Sequence, residues 1–411
     1  MLKVYELETF IRSGLSEPTP VDRVALHKFV QERRAMSTTA LHRSAFYDVQ
    51  DQLGAEWTDW EGWAWADHFG DPVAEHEATR NASNIWDESP LRKWDMKGPD
   101  ALALADVLFT NDMSALEVGQ VRYGAICDED GQMIMDGTIF KYADDHCFSI
   151  TSYDSDLDWY RKVASDRGLD VQVEDVTADM PHLQVQGPKS RDILAPITEG
   201  TDLAQLSYFR FVPEEVKVGG VPCMISRTGY SGELGYELYC KPDTAADLWN
   251  AVHEAGKRHG MLPIGLSAIE TIRIESGLLF PDVDYFQHKT DPFEVRLDKL
   301  VKLDKPGDFI GKDALRRIAE EGTPRLLTTL RLEGDETPEY GAAVTKDGNE
   351  VGIVRSPCKS PSFDEQIAMA AIDRALAEEG MTVEVALGDG TVAATVAPFP
   401  VYDTEKSRPR S

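Results

Sequence analysis

The chain has 411 residues, with 42 Lys or Arg against 72 Asp or Glu, giving a net charge of −30. Such an anionic surface repels phosphate backbones and anionic lipid surfaces, so neither nucleic acid nor a membrane is an expected partner. Hydrophobic residues at 42% and charged residues at 28% make a folding composition, and the length suits two or three packed domains.

Residues 1–45 are charged and helical in patches, as in VDRVALHKFVQERRAM, and read as an N-terminal extension. The opening MLKVYELETFIRSGLSEP lacks the apolar centre of a secretory signal, and no apolar run reaches membrane-spanning length. A cytoplasmic location is expected. From Ala45 to Pro361 helices alternate with strands. Asp156–Asp166 sets Leu157, Tyr160 and Ala164 on one helical face, with Gly168 as the stop. Glu215–Ser226 reads as a hairpin around Gly219-Gly220. Asp243–His259 carries a stripe of Leu248, Val252 and Ala255, ended by Gly260. Ser267-x-x-Glu270 has the form of a capping box at the start of a helix carrying Ile269, Ile272 and Arg273. After about Gly322 the chain turns β-rich, with hairpin signals at Asp347-Gly348 and Asp389-Gly390. The pattern predicts an α+β chain with a small β-rich C-terminal domain.

Several chemistries are excluded by what the chain lacks. It has no GxxxxGK[ST] loop, no GxGxxG, no GxSxG elbow and no HExxH. Five cysteines stand far apart without a CxxC pair, and nine histidines show no ligand spacing, so neither a disulfide framework nor a metal site is expected.

Ordered segments then carry a resemblance. They begin with Gly98-Pro99-Asp100-Ala101, Thr110-Asn111-Asp112, Tyr123-Gly124-Ala125-Ile126, Asp128-Glu129-Asp130-Gly131 and Asp136. Val185-Gln186-Gly187-Pro188, Arg227-Thr228-Gly229-Tyr230-Ser231-Gly232-Glu233-Leu234-Gly235-Tyr236-Glu237 and Ile272-Arg273-Ile274-Glu275-Ser276-Gly277 follow. Val301-Lys302-Leu303-Asp304-Lys305 runs into Asp308-Phe309-Ile310-Gly311-Lys312, and Gly352-x-Val354 with Ser360-Pro361 and then Ile367-Ala368-Met369 complete the series. In this order, over roughly residues 70–400, the chain resembles the aminomethyltransferase family, the glycine cleavage T-protein and its folate-dependent relatives. The resemblance implies a three-domain cloverleaf with tetrahydrofolate in a central channel. The implied division is an extension (1–45), a folate-binding region of two interleaved subdomains (46–320) and a C-terminal β-barrel (325–408).

The same resemblance implies roles for single residues. Asp136 matches the acidic residue facing the folate and the transferred one-carbon group, where a carboxylate stabilises positive charge. Glu233 matches the glutamate that accepts N–H bonds from the pterin ring. Its flanking glycines 229, 232 and 235 would let the backbone pass close to the ligand. Arg273 and Tyr402 match folate contacts, whereas Gln186-Gly187-Pro188 reads as a structural turn.

Ser149-Ile150-Thr151-Ser152-Tyr153-Asp154-Ser155-Asp156 is closer to the Ser-Ile-Ala-Asp-Ser-Asp of folate-dependent demethylases than to the Val-Asn-Ala of glycine cleavage. Trp57, Trp60 and Trp63, beside Glu56, Asp59 and Glu61, suit a cationic methyl donor, because aromatic cages bind quaternary ammonium groups. The expected activity is methyl transfer from a small betaine-like onium compound to tetrahydrofolate. Methoxy-arene demethylation, glycine-cleavage aminomethyl transfer and a non-catalytic folate-binding module stand as alternatives.

Overall fold

Local chemistry sets where the elements start and stop. The computed structural model describes residues 41–411, so nearly all of the expected N-terminal extension lies outside the described residues. The helices are α1 (Tyr47–Gln52), α2 (Pro72–Asn81), α3 (Ala101–Leu108), α4 (Ser155–Arg167), α5 (Ser190–Leu194), α6 (Ala245–Lys257), α7 (Leu266–Glu275) and α8 (Lys312–Glu321). Asp71 caps α2 by accepting from the Val73 and Ala74 amides, and Pro72 fills the first turn, where no amide hydrogen is needed. Helix α4 ends on Gly168 in the left-handed conformation, as its sequence predicts. Helix α7 departs from expectation. Gly265 is its N-cap and no side chain caps it, so Ser267 is not a capping-box residue. Glu270 is drawn to Arg273 instead of to the helix start.

A short hairpin pairs β1 (Glu56–Trp60) with β2 (Trp63–His68). The next strands are β3 (Asn84–Asp87), β4 (Arg92–Lys97), β5 (Val121–Cys127), β6 (Met133–Ala143), β7 (His146–Thr151), β8 (Gln172–Asp175) and β9 (His182–Gln186). They are followed by β10 (Thr198–Glu199), β11 (Phe211–Val218), β12 (Val221–Ser226), β13 (Gly235–Cys240) and β14 (Leu262–Pro263). A seven-stranded sheet runs β10-β11-β12-β13-β9-β3-β14, and a five-stranded sheet runs β5-β6-β7-β4-β8. The β11–β12 hairpin turns at Gly219-Gly220, both at positive φ, as the sequence predicts.

The C-terminal strands are β15 (Arg325–Leu332), β16 (Ala343–Lys346), β17 (Asn349–Ser360), β18 (Glu365–Asp373), β19 (Thr382–Leu387) and β20 (Gly390–Ala397). They close into a six-stranded barrel, which confirms the α+β reading with a β-rich tail. Closure removes exposed strand edges, and small Ala368, Ala370 and Ala394 fill the narrow interior with Leu330, Val354 and Val385. Asp347-Gly348 forms the β16–β17 turn. The β19–β20 turn lies one residue earlier than predicted, at Gly388-Asp389, because Leu387 pairs with Gly390.

Behind the seven-stranded sheet, α6 buries Leu248, Trp249 and Val252 against Leu183, Val185 and Leu238. Each such side chain is worth roughly 1.5–3 kcal/mol. All five cysteines are buried and unpaired. Cys223 and Cys240 face each other across β12 and β13 as thiols, both pushed up to about 12 chiefly by burial. Among the described residues no helix is long and apolar enough to cross a membrane.

A buried ionic cluster ties these units together. Arg80 of α2 donates to Glu275 of α7 at 2.9 Å and 3.2 Å, and the barrel-side Ser360 and Ser362 hydroxyls donate to the same carboxylate. Burial opposes ionisation of Glu275, but His76, Arg80 and Ser360 together lower its pKa to about 2, from 4.5. A carboxylate with a depressed native pKa contributes its full stability above the unfolded value and loses it as pH falls through the native value. Glu275→Gln should therefore cost about 3 kcal/mol at pH 7, by denaturant unfolding. The gap to wild type should shrink as pH falls from about 4.5 toward 2, and a gap that ignores pH would deny Glu275 its charge.

Candidate functional site

Two carboxylates, met by different partners, define the candidate site. Asp136 lies on β6, opposite Ala125 of β5, and Tyr123 on β5 therefore shares its face. The Tyr123 hydroxyl donates to Asp136 Oδ2 at 2.7 Å, and the Tyr285 hydroxyl donates to Oδ1. Burial raises the Asp136 pKa, and the two hydroxyl donors hold it down only in part. Both tyrosines are raised well above their ordinary range, chiefly by burial and then by the Asp136 charge. Asp156 adds a second titratable carboxyl close by. Burial pushes it up to about 7, with a further push from Asp136, while Thr151 and the Tyr153 amide pull it down.

Glu233 meets cations instead. It sits in the turn between β12 and β13, 3% exposed. Oε1 accepts from Arg80 at 3.1 Å and from the Tyr402 hydroxyl at 2.7 Å, and Oε2 accepts from Arg408 at 2.8 Å. Both guanidiniums also lie over the Tyr402 ring, Arg80 at 3.8 Å and Arg408 at 5.2 Å from its centroid. Burial, followed by the bond to Glu233, raises the Tyr402 pKa. Glu233 and Tyr402, distant in sequence, thus form one contact. They line a cavity of about 50 Å³ together with Ser276, Leu278 and the tail residues Asp403 and Lys406.

The glycines of the turn serve the protein's own packing. A Cβ on Gly229 or Gly235 would come within 2.0 Å of the Gln186 side chain, and Gly232, at φ +76°, lies against Ser276. Gln186 donates to the Thr228 carbonyl and accepts from Ser231, the structural role its sequence suggests.

Arg273 is fully buried and fully engaged. It forks onto Glu270, donates to Asp284 at 2.7 Å and reaches Ser356 of β17 at 2.9 Å. Burial alone would lower its pKa, but Glu270 and Asp284 together carry it up. This guanidinium clamps α7 to the barrel.

The three tryptophans do not form one cage. Trp57 and Trp60 point to opposite faces of β1, as the two-residue strand period requires. Trp57 stacks on Tyr47 at 4.1 Å and donates to Asp51. Trp60 and Trp63 instead flank the Arg92 guanidinium at 5.9 Å and 5.8 Å, so the cation between them is the protein's own. Trp60 also lies parallel to Tyr153 at 6.3 Å. Tyr153 in turn donates to the Pro281 carbonyl at 3.3 Å.

The sequence reading assigns no site role to Tyr123, Tyr285, Asp156, Arg80 or Arg408. Tyr123 was within reach, since a hairpin turning at residues 128–131 puts it on the Asp136 face. Tyr285 and Arg408 carry no local signal.

Comparisons with known proteins fit this geometry. The model of the GCVT N-terminal domain matches residues 46–305, and that of the glycine cleavage T-protein C-terminal barrel domain matches 325–403. A trimethylamine-oxide aldolase of Ruegeria pomeroyi is 37% identical over 98% of this chain, which spans 51% of that relative's length. An aminomethyltransferase of Caldanaerobacter subterraneus is 35% identical over 87% of this chain and 94% of its own. One of Geobacillus is 34% identical over 89% of this chain and 100% of its own. The crystal structure of glycine cleavage system aminomethyltransferase T from Bartonella henselae shares the fold, with a TM-score of 0.80 at 24% identity, over 89% of this chain and 99% of its own. The chain belongs to the glycine cleavage T-protein family.

The clasp on Asp136 is open to test. Tyr285→Phe removes a donor that favours the charged carboxylate, so the Asp136 pKa should rise further, by about one unit or ~1.4 kcal/mol. Carbon-13 NMR of the carboxyl reads it, and an unchanged value would remove Tyr285 from the site.

Proposed function

We propose that the protein is a tetrahydrofolate-dependent transferase that takes a methyl group from a small onium-type donor and yields 5-methyltetrahydrofolate. The observation carrying this reading is the buried Asp136 carboxyl, raised in pKa and clasped by the Tyr123 and Tyr285 hydroxyls. When bound, tetrahydrofolate supplies the nucleophilic N5 nitrogen. Asp136 faces the positive charge that develops as this nitrogen is alkylated, and then accepts its proton. At an onium donor the leaving heteroatom departs neutral and needs no acid, so the transfer makes no demand on the Tyr123 and Tyr285 hydroxyls, whose pKa values are raised.

Glu233 suits the amino-pyrimidinone edge of a pterin, because its oxygens already accept N–H donors in a dry setting. In this reading Arg408 is the donor displaced, since it is 42% exposed at the side chain while Arg80 is 5% exposed. A cavity of about 50 Å³ falls short of the roughly 300 Å³ a ligand of this size needs, so the tail from Asp403 to Pro409 yields on binding. In this reading the stacked Trp60 and Tyr153 rings offer the aromatic surface for the donor's cationic methyl groups. Trp57 has no place in this reading, and Arg273 positions α7 without touching the ligand. The trimethylamine-oxide aldolase, by its name, acts on a small fully substituted nitrogen compound, which supports a donor of this kind. Relatives named aminomethyltransferases favour a second reading, transfer of an aminomethyl carbon at the oxidation level of formaldehyde.

Anaerobic incubation with tetrahydrofolate and a panel of betaines, sulfonium compounds, amine oxides and methoxy-arenes, read by mass, separates these readings. The expected product is 5-methyltetrahydrofolate with one onium donor, and Asp136→Asn should slow it about 10²–10⁴-fold. Methylenetetrahydrofolate alone would move the assignment to the second reading, and no folate product would sink both. Arg408→Ala should tighten tetrahydrofolate binding in calorimetry, and weaker binding would make Arg408 a folate contact rather than an occupant.

A further inference from the structure

We propose that Glu88, His182 and Glu237 form a divalent transition-metal site that pins three neighbouring strands of the seven-stranded sheet. Glu88 follows the end of β3, His182 opens β9 and Glu237 lies on β13, in the spatial order β13-β9-β3. His182 pairs with Tyr239, and Glu237 with Gln184. His182 and Glu237 therefore project from the same face, and the Glu88 amide bonds the His182 carbonyl at 2.8 Å.

All three side chains are shut away from solvent, with relative exposures of 2%, 1% and 7%. His182 Nε2 lies 3.1 Å from Glu88 Oε2 and 3.5 Å from a Glu237 oxygen. A tetrahedral ion bound at about 2.0–2.2 Å by nitrogen and oxygen sets its ligand atoms about 3.3–3.5 Å apart. The observed spacings match those edges.

The hydrogen-bond accounting points to a ligand as well. His182 Nε2 and Glu88 Oε2 face each other at 3.1 Å without hydrogen-bond geometry, and His182 Nδ1 has no hydrogen-bond partner among the described residues. Buried polar atoms left this way are costly, and an ion held by Nε2 and the two carboxylates would satisfy the facing pair. The nearby cation does not supply it, because Lys93 Nζ donates to the carbonyls of Ser89 and Leu91. Asp87 is occupied by Ser44 and Gln50. Glu88 and Glu237 bring two carboxylates to one buried imidazole, where like charges repel. A dication would relieve that repulsion.

The surroundings resemble an outer ligand shell. The hydroxyls of Thr228 and Tyr239 donate to Glu237 and fix its carboxylate, and the Tyr239 ring stacks on His182 at 4.3 Å. One imidazole and two carboxylates suit Zn²⁺, Mn²⁺, Fe²⁺ or Co²⁺ rather than a soft ion, with a fourth position for water or a second carboxylate oxygen. No step of the proposed folate chemistry passes through these residues.

The test uses the full chain, stripped with a chelator and titrated with Zn²⁺ and, separately, Co²⁺. About one equivalent of Zn²⁺ should be retained after desalting, and Co²⁺ should give the strong visible bands of a low-coordinate site. Zn²⁺ should also raise the thermal midpoint. Glu88→Gln and His182→Gln should each abolish stoichiometric retention, and Thr228→Val should weaken affinity about 10–100-fold. Wild-type Co²⁺ spectra keep the proposal testable if a variant fails to fold. Retention below a tenth of an equivalent in wild type, or full retention in both glutamine variants, would overturn it and leave a metal-free ionic cluster.

Discussion

The contact between Arg80 and Glu275 is the constraint on which the rest of the site rests. A buried ion pair stabilises only when the remaining donors and lone pairs are also met. Here Arg80 spends its other donors on the Ser231 and Ile272 carbonyls, Ser276 and Glu233, while Glu275 is held by His76, Ser360 and Ser362. One cluster therefore joins α2, α7, the turn carrying Glu233 and the barrel. It also sets the position of Glu233, because the same guanidinium that binds Glu275 binds Glu233 and lies against Tyr402.

From that anchor the two carboxylates of the candidate site are given opposite characters. Glu233 is met by two permanent cations, Arg80 and Arg408. Asp136 meets neutral hydroxyls in a dry setting, so among the described residues its charge is supported by two hydrogen bonds and by no ion pair. A carboxylate of the first kind holds N–H donors, and one of the second kind is free to answer a new positive charge or to take a proton. Separating the two tasks is a recurrent way for one site to bind and to react. Arg273, by contrast, has its donors committed to Glu270, Asp284 and Ser356, and its work is mechanical.

The aromatic cluster shows how residue content and residue placement differ. Three tryptophans within a few residues suggested one cage, yet strand alternation sends Trp57 away from Trp60. Arg92, from β4, then enters between Trp60 and Trp63, paired with Asp154. A strand far along the chain supplied the cation. The Glu88, His182 and Glu237 cluster is the converse case, since two strands and the residue after a third assemble side chains that show no spacing in the chain.

What the sequence determined by itself was whatever depends on neighbours along the chain or on ordered motifs. The Gly168 stop, the Gly219-Gly220 hairpin, the β-rich tail and the family all follow from such signals. Asp136 and Glu233 were legible because they sit inside those motifs. Tertiary structure alone decided what each side chain meets: Tyr285 on Asp136, Arg408 on Glu233, Gly265 rather than Ser267 at the start of α7, and Gln186 in the space beside the turn glycines. The physical reason is that a side chain's partners are set by contacts between residues remote in the chain. Turn and helix signals arise within a few residues, whereas burial, charge pairing and hydrogen-bond satisfaction exist only once distant strands and helices have packed.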